Sequence, residues 1–279
     1  GLRLDSLKLV VDCSHGAGYK VAPRVLTELG AEIIPIGCSP NGKNINDGCG
    51  STSPELLMLT VQGVRADLGV AFDGDGDRLL MVDQQGNLVD GDQLLYLLAA
   101  ARHRANSLKG PVVGTLMSNL GLERALGELG VAFRRAPVGD RYVIEMLRAA
   151  GGELGGETSG HLLCLDKTTT GDGLVAALQV LSVIAQGDST LAELVKPMPK
   201  FPQTLINIRT SQRVDVKSSE PIQAAVADAE KHLADRGRIL VRASGTEPLL
   251  RIMVEGEDET EVNSVARSLA DGIQALTAA

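Results

Sequence analysis

Up to about residue 185 the chain alternates short, β-branched apolar runs with stretches of helical period, and this alternation narrows its fold more than any other feature. Residues 7–12, 31–36, 68–72 and 79–83 have the length and Val, Ile and Leu content of buried strands, and Leu88-Val89 adds a short one. Helix patterns lie between them at about residues 19–29 (stopped by Gly30), 53–63 and 92–102. Strands separated by helices of this length need crossovers, so the chain must build α/β layers. Turn-prone residues 105–110 close the first block. The pattern then recurs, with strands at 112–116, 131–135 and 162–165 and helices at 120–129, 141–149 and 172–185. Pro197, Pro199 and Pro202 punctuate a second junction. Beyond it come strands at 204–210, 238–241 and 249–255, with helices at 221–234 and 259–276. The expected architecture is two consecutive α/β domains with mixed sheets flanked by helices (residues 1–104 and 105–200), then a small α+β domain (residues 201–279).

Three Phe, three Tyr and no Trp among 279 residues leave the cores to Val, Leu, Ile and Ala, which suits strands covered by helices. A formal net charge of -8 argues against the basic face that nucleic-acid binding requires, though local Arg clusters or a metal can still bind phosphates. No apolar run approaches the ~20 residues of a membrane span, and no signal-peptide pattern opens the chain. Cys13, Cys38, Cys49 and Cys164 lack zinc-like spacing and suit free thiols in a reducing compartment. A cytoplasmic protein is expected.

The most informative stretch is Phe72-Asp73-Gly74-Asp75-Gly76-Asp77-Arg78, where three carboxylates alternate with glycines at the end of an apolar strand. Glycines let such a loop fold its carboxylates inward, and a hard divalent cation with oxygen ligands relieves the resulting repulsion. Mg²⁺ keeps positions open for phosphate oxygens. An EF-hand reading fails, because its sixth and twelfth positions hold Arg78 and Gln84 instead of Gly and Glu. A haloacid-dehalogenase-like loop would want Thr or Val where Asp77 stands.

Two further loops are candidates. Arg242-Ala243-Ser244-Gly245-Thr246-Glu247-Pro248, with Arg251 beyond it, offers guanidinium, hydroxyl and backbone donors to a phosphate; an ordinary turn between strands is the alternative. In Gly156-Glu157-Thr158-Ser159-Gly160-His161, Glu157 and Ser159 would share one face of an extended segment and suit vicinal sugar hydroxyls. From spacing alone His161 reads better as a structural imidazole bonded to backbone. Asp140 can cap a helix and Arg141 can face a ligand. Gly16-Ala17-Gly18 is no dinucleotide fingerprint, since Val21 occupies the third glycine position.

Taken in order, the Asp73–Arg78, Gly156–His161 and Arg242–Pro248 loops resemble the signature loops of the α-D-phosphohexomutases. Pro40-Asn41-Gly42-Lys43-Asn44-Ile45-Asn46, the stretch from Val113 to Asn119, Val138-Gly139-Asp140-Arg141-Tyr142 and the stretch from Leu165 to Gly173 are similar to the phosphoglucosamine mutase branch, and the match covers the whole chain. The resemblance implies interconversion of glucosamine 6-phosphate and glucosamine 1-phosphate through a phosphoserine enzyme and a bisphosphate intermediate, on the way to UDP-N-acetylglucosamine. It assigns Mg²⁺ to Asp73, Asp75 and Asp77, and places Arg78 near the phosphoserine. It gives His161 a part in proton transfer, Glu157, Ser159 and Arg141 to the sugar, and Arg242, Ser244, Gly245, Thr246 and Arg251 to the second phosphate. The partner would be a phosphorylated amino sugar, with neither nucleic acid nor membrane; a homodimer remains open. Phosphomannomutase, phosphoglucomutase and a non-catalytic phosphosugar-binding protein are the alternatives. Family members carry the nucleophilic serine in an N-terminal domain. Ser14-His15 shares only two residues with that motif, so Ser14 is a decoy, and Gly1 is expected to mark a cut near the first interdomain linker that leaves this piece inactive.

Overall fold

The computed structural model describes residues 1–210, 215–216, 218–243 and 249–278. They form two compact units, residues 1–118 with 122–199, and residues 119–121 with 200–279.

The first unit contains two sheets of the same layout. β1 (Lys8–Asp12) lies between β2 (Glu32–Ile36) and β3 (Leu68–Phe72), parallel to both; β4 (Leu79–Asp83) then pairs antiparallel with β3, and β5 (Leu88–Val89) with β4. In the second sheet β6 (Val112–Thr115) lies between its parallel neighbours β7 (Phe133–Ala136) and β8 (Leu154–Gly156), and β9 (Leu162–Cys164) returns antiparallel to β8. The expected repetition of one α/β plan is present at the level of strand order. α1 (Val21–Glu28) and α2 (Glu55–Val64) belong to the first sheet, α4 (Leu120–Glu128) and α5 (Asp140–Ala150) to the second repetition.

α3 (Gly91–Arg104) and α6 (Gly173–Gln186) tie the two sheets together. α3 packs on α6, β4 and β8, while α6 packs on β3, β4 and β9. Leu94, Leu95, Leu97, Leu98 and Ala99 are all buried, which an amphipathic surface helix would not allow and a helix between two sheets requires. α3 opens on a capping box in which Asp90 accepts from Gln93 N (3.2 Å) and Gln93 accepts from Asp90 N (3.3 Å). Asp172 caps α6 by accepting from Val175 N at 2.9 Å. One apolar core therefore runs from Leu4 to Met198 through both sheets.

In the second unit β12 (Leu249–Gly256) lies between β10 (Gln203–Arg209) and β11 (Gly237–Ala243), antiparallel to both, with α8 (Glu220–Leu233) and α9 (Glu259–Ala278) packed on them. Three elements depart from expectation. β7 starts at Phe133 because Val131 N still bonds back to Leu126 O (2.9 Å), closing the preceding turn. β8 is a strand the apolar pattern missed. α7 (Leu191–Val195) is a further helix, opened by Thr190 and Glu193 as a capping box. Among the described residues no helix is long and apolar enough to cross a membrane.

Candidate active site

β3 is buried along its whole length and leaves the sheet where the strand order reverses about β1, the place where open α/β sheets gather ligands. The turn from Asp73 to Arg78 opens there. Asp73, Asp75 and Asp77 each bring a carboxylate oxygen to within 4.8 Å of the other two, Asp73 buried, Asp75 exposed and Asp77 half-buried. Gly76 (φ +79°) makes the reversal, its N–H donating to Asp73 O at 3.2 Å. Arg78 N donates to Asp73 Oδ1 (3.1 Å), while Arg78 Nε stays 3.7 Å from Asp73 Oδ2 and 3.8 Å from Asp77 Oδ1. Neither Arg78 Nε nor the shielded Asp77 Oδ1 makes a hydrogen bond among the described residues. One guanidinium beyond bonding distance does not neutralise three converging carboxylates, and an unsatisfied buried carboxylate oxygen is costly. An all-oxygen donor set of this kind fits a hard divalent cation.

Backbone contacts hold the turn on three sides. Ala17 N donates to Gly74 O (2.8 Å), Gly173 N at the start of α6 to Gly76 O (2.9 Å), and Leu79 N to Gly160 O (2.9 Å). Glycine is required at two of these approaches: a Cβ on Gly16 would collide with Gly74 O, and one on Gly160 (φ +94°) with Leu79 O.

Gly160 belongs to the matching turn of the second sheet, between β8 and β9. Gly160 N bonds Glu157 O (2.9 Å) and Glu157 N bonds His161 O (3.1 Å), so this stretch is a reverse turn and not the extended segment expected. Shared orientation of Glu157 and Ser159 by alternation therefore does not apply. Ser159 is exposed, and the half-buried Glu157 accepts from Gly139 N at 2.9 Å. Thr158 fastens the turn to α3, its hydroxyl donating to Asp92 Oδ2 at 2.7 Å.

His161 is buried with Nδ1 3.1 Å from Asp77 Oδ2 and Nε2 3.8 Å from Asp140 Oδ2. Its partner is a carboxylate of the aspartate turn, not the backbone group that spacing favoured, and its Nε2 makes no hydrogen bond among the described residues. Asp140 does not cap α5: Gly139 holds the cap position, and Asp140 Oδ1 accepts from the adjacent Arg141 N (2.7 Å). Arg141 pairs with Glu145 (2.9 Å) on the exposed surface of α5.

In the second unit Arg242 on β11 and Arg251 on β12 are directly opposed across the antiparallel pair. Burial, and then the charge of Arg251, push the Arg242 guanidinium below its ordinary value. Arg251 Nε is buried without a hydrogen-bond partner among the described residues. Two half-buried cations side by side call for an anion. Ser244, Gly245 and Thr246, the remaining members of the expected phosphate loop, lie outside the described residues.

Ser14 is fully buried and donates its hydroxyl to Cys13 O (2.7 Å). Two residues escaped the sequence reading. Asp140 was weighed as a cap, whereas it faces His161, and Asp12, which carries no motif, is a fully buried carboxylate at the end of β1.

Comparison with known proteins identifies the family. Residues 2–86 match the model of phosphoglucomutase/phosphomannomutase α/β/α domain II, residues 90–201 that of domain III, and residues 205–272 that of the C-terminal domain. The chain belongs to the phosphoglucomutase/phosphomannomutase family. Within it the chain is similar to phosphoglucosamine mutases, 57% identical over 273 residues to that of Aeromonas hydrophila and 55% over 274 residues to that of Legionella pneumophila. Each alignment covers 98% of this chain but only 62% and 60% of the relative's length. Among solved structures, a phosphoglucomutase/phosphomannomutase family protein of Burkholderia thailandensis superposes with a TM-score of 0.81 at 25% identity, over 98% of this chain and 62% of that one. The N-acetylphosphoglucosamine mutase of Aspergillus fumigatus, determined with GlcNAc-6P and magnesium, shares the fold with a TM-score of 0.78 at 20% identity, over 98% and 67% of the two chains.

Proposed function

We propose that this chain contributes the metal site, the sugar-recognition turn and a phosphate-binding strand pair to a cytoplasmic mutase that interconverts glucosamine 6-phosphate and glucosamine 1-phosphate, supplying UDP-N-acetylglucosamine synthesis. The observation that carries this reading is the convergence of Asp73, Asp75 and Asp77 with His161 seated on Asp77. Identity above half to proteins named phosphoglucosamine mutase supports the choice of amino sugar. The domain limits of residues 1–104, 105–200 and 201–279 remain part of this proposal.

Asp73, Asp75 and Asp77 would hold Mg²⁺, which when bound offsets negative charge on the phosphoryl group in transfer. Arg78, with its Nε unpaired, adds a guanidinium beside the same group. Glu157, oriented by Gly139 N–H, accepts from sugar hydroxyls, and the exposed Ser159 donates to them. With Nδ1–H committed to Asp77, His161 takes and returns the hydroxyl proton at Nε2. Arg242 and Arg251, with Ser244, Gly245 and Thr246, grip the phosphate that stays put, and Arg141 contributes to binding once released from Glu145. The phosphoryl donor is a serine outside these 279 residues.

Mn²⁺ titration followed by electron paramagnetic resonance tests the site on this chain. Asp75→Ala and Asp77→Ala should each weaken binding at least about tenfold, equivalent to about 1.4 kcal/mol. Wild-type affinity in both variants would sink the metal assignment. Rates of the whole protein on glucosamine, glucose and mannose 1-phosphates separate this reading from a phosphomannomutase or phosphoglucomutase. Turnover by the 279 residues alone would refute an external donor.

A further inference from the structure

Asp12 ends β1, is fully buried, and accepts one backbone N–H on each carboxylate oxygen: Ser14 N on Oδ1 (2.9 Å) and Gly50 N on Oδ2 (2.8 Å). The turn it holds is a strained one. Ser14 and His15 both have φ +51°, a left-handed conformation that L-residues keep only where surrounding contacts impose it. The neighbouring contacts do impose it: His15 N donates to Gly37 O (2.6 Å) and Asn46 N to Ser14 O (2.9 Å). Gly37 and Gly50, themselves at φ +63° and +72°, give Asp12 and Ser14 their room, since a Cβ on Gly37 would strike Asp12 Oδ1 and one on Gly50 would strike Ser14 Cβ. Gly16 N closes the turn on Cys13 O (2.7 Å), and the following N–H, that of Ala17, holds Gly74 O between Asp73 and Asp75.

We infer that Asp12 is a positioning residue for the aspartate turn: its carboxylate fixes the β1–α1 turn, and that turn sets the backbone of Gly74. Two converging N–H donors demand an acceptor on both oxygens, which only a carboxylate provides; an Asn would turn its own NH₂ against one of them. The consequence for metal binding rests on the cation reading above. The link from Asp12 to Gly74 does not.

Two measurements on the same chain separate them. In Asp12→Asn, amide hydrogen exchange at Ala17 should accelerate at least tenfold and Mn²⁺ affinity should fall at least tenfold. Val61→Ala, a core truncation behind the same sheet, should lower the melting temperature while leaving both readouts unchanged. Wild-type exchange at Ala17, or wild-type Mn²⁺ affinity, in a folded Asp12→Asn would overturn the inference and leave Asp12 a purely structural residue. Failure of the wild-type chain to bind Mn²⁺ would sink the cation reading instead, with Ala17 exchange still deciding the link. Should Asp12→Asn not fold, Gly16→Ala takes its place, because the added Cβ presses on Gly74 directly; wild-type Mn²⁺ affinity there would overturn the inference.

Discussion

At the scale of single residues, burial decides what the cysteines can do. All four are free thiols, and burial is the leading cause that pushes each above its ordinary value. Cys13 and Cys164 are the most enclosed; at Cys13 the adjoining Cys38 thiol and the Asp12 charge add to the effect. The sign follows from proton counts. An unfolded thiol titrates near about 8.5, so above that pH the unfolded chain sheds protons that the folded chain keeps. Stability is whole below about pH 8.5 and declines as pH rises beyond it, by up to about 1.4 kcal/mol per pH unit for each such thiol. Urea midpoints measured at pH 7.5 and 9.5 should therefore separate in the wild type. The separation should shrink in the Cys13→Ala, Cys164→Ala double variant, and an equal separation there would show that other groups cause it.

At the scale of elements, the β11–β12 pair carries a like-charge contact that works against stability. Arg242 and Arg251 face each other where a sheet would prefer opposite charges, a mismatch of about 0.2–1 kcal/mol. Arg242→Gln should raise the melting temperature of the second unit slightly in chloride. Phosphate at ten times its Kd stabilises a binder by about 1.4 kcal/mol, and that increment should appear in the wild type and vanish in the variant. Equal phosphate shifts in the two proteins at matched ionic strength would rule out the strand pair as an anion site. The same contrast governs what the sequence could reveal. β3, β4 and β5 were legible to the residue because apolar periodicity and turn glycines agree there. β8 was not, since two of its three residues are glycines whose strand state depends on partners in β6 and β9. α7 carried a readable Thr190…Glu193 capping signal that its short length hid. The convergence of Asp73, Asp75 and Asp77 was legible because they lie within one turn. The His161–Asp77 contact joins residues 84 apart, and only the pairing of the two sheets through Leu79 and Gly160 creates it.

At the scale of the whole molecule, two family domain models divide residues that share one core. Residues 2–86 and 90–201 match separately, yet the apolar cluster from Leu4 to Met198 has no break between them. The cause is α3 and α6, which pack against each other and against strands of both sheets. Removing either sheet would expose leucines on two helices at once, and each buried leucine is worth about 1.5–3 kcal/mol. Each sheet keeps one apolar face of its own, against α2 or α5, but the faces turned to α3 and α6 are shared, so the two are expected to unfold together. The second unit has its own core, from Ile208 to Ile273, and needs no part of that one. Calorimetry should resolve two transitions rather than three, the larger from residues 1–199. Leu95→Ala in α3, which empties a fully buried position, should cost about 2–5 kcal/mol and shift the larger transition alone. The turns support the same expectation: the Leu79 to Gly160 and His161 to Asp77 bonds join the two sheets at the candidate site, so a metal bound there stabilises both at once. Mn²⁺ should move the larger transition upward as a single peak. A peak that splits on metal addition, or a third transition in its absence, would mean that the sheets fold independently and that the shared core is not what holds the two turns in register.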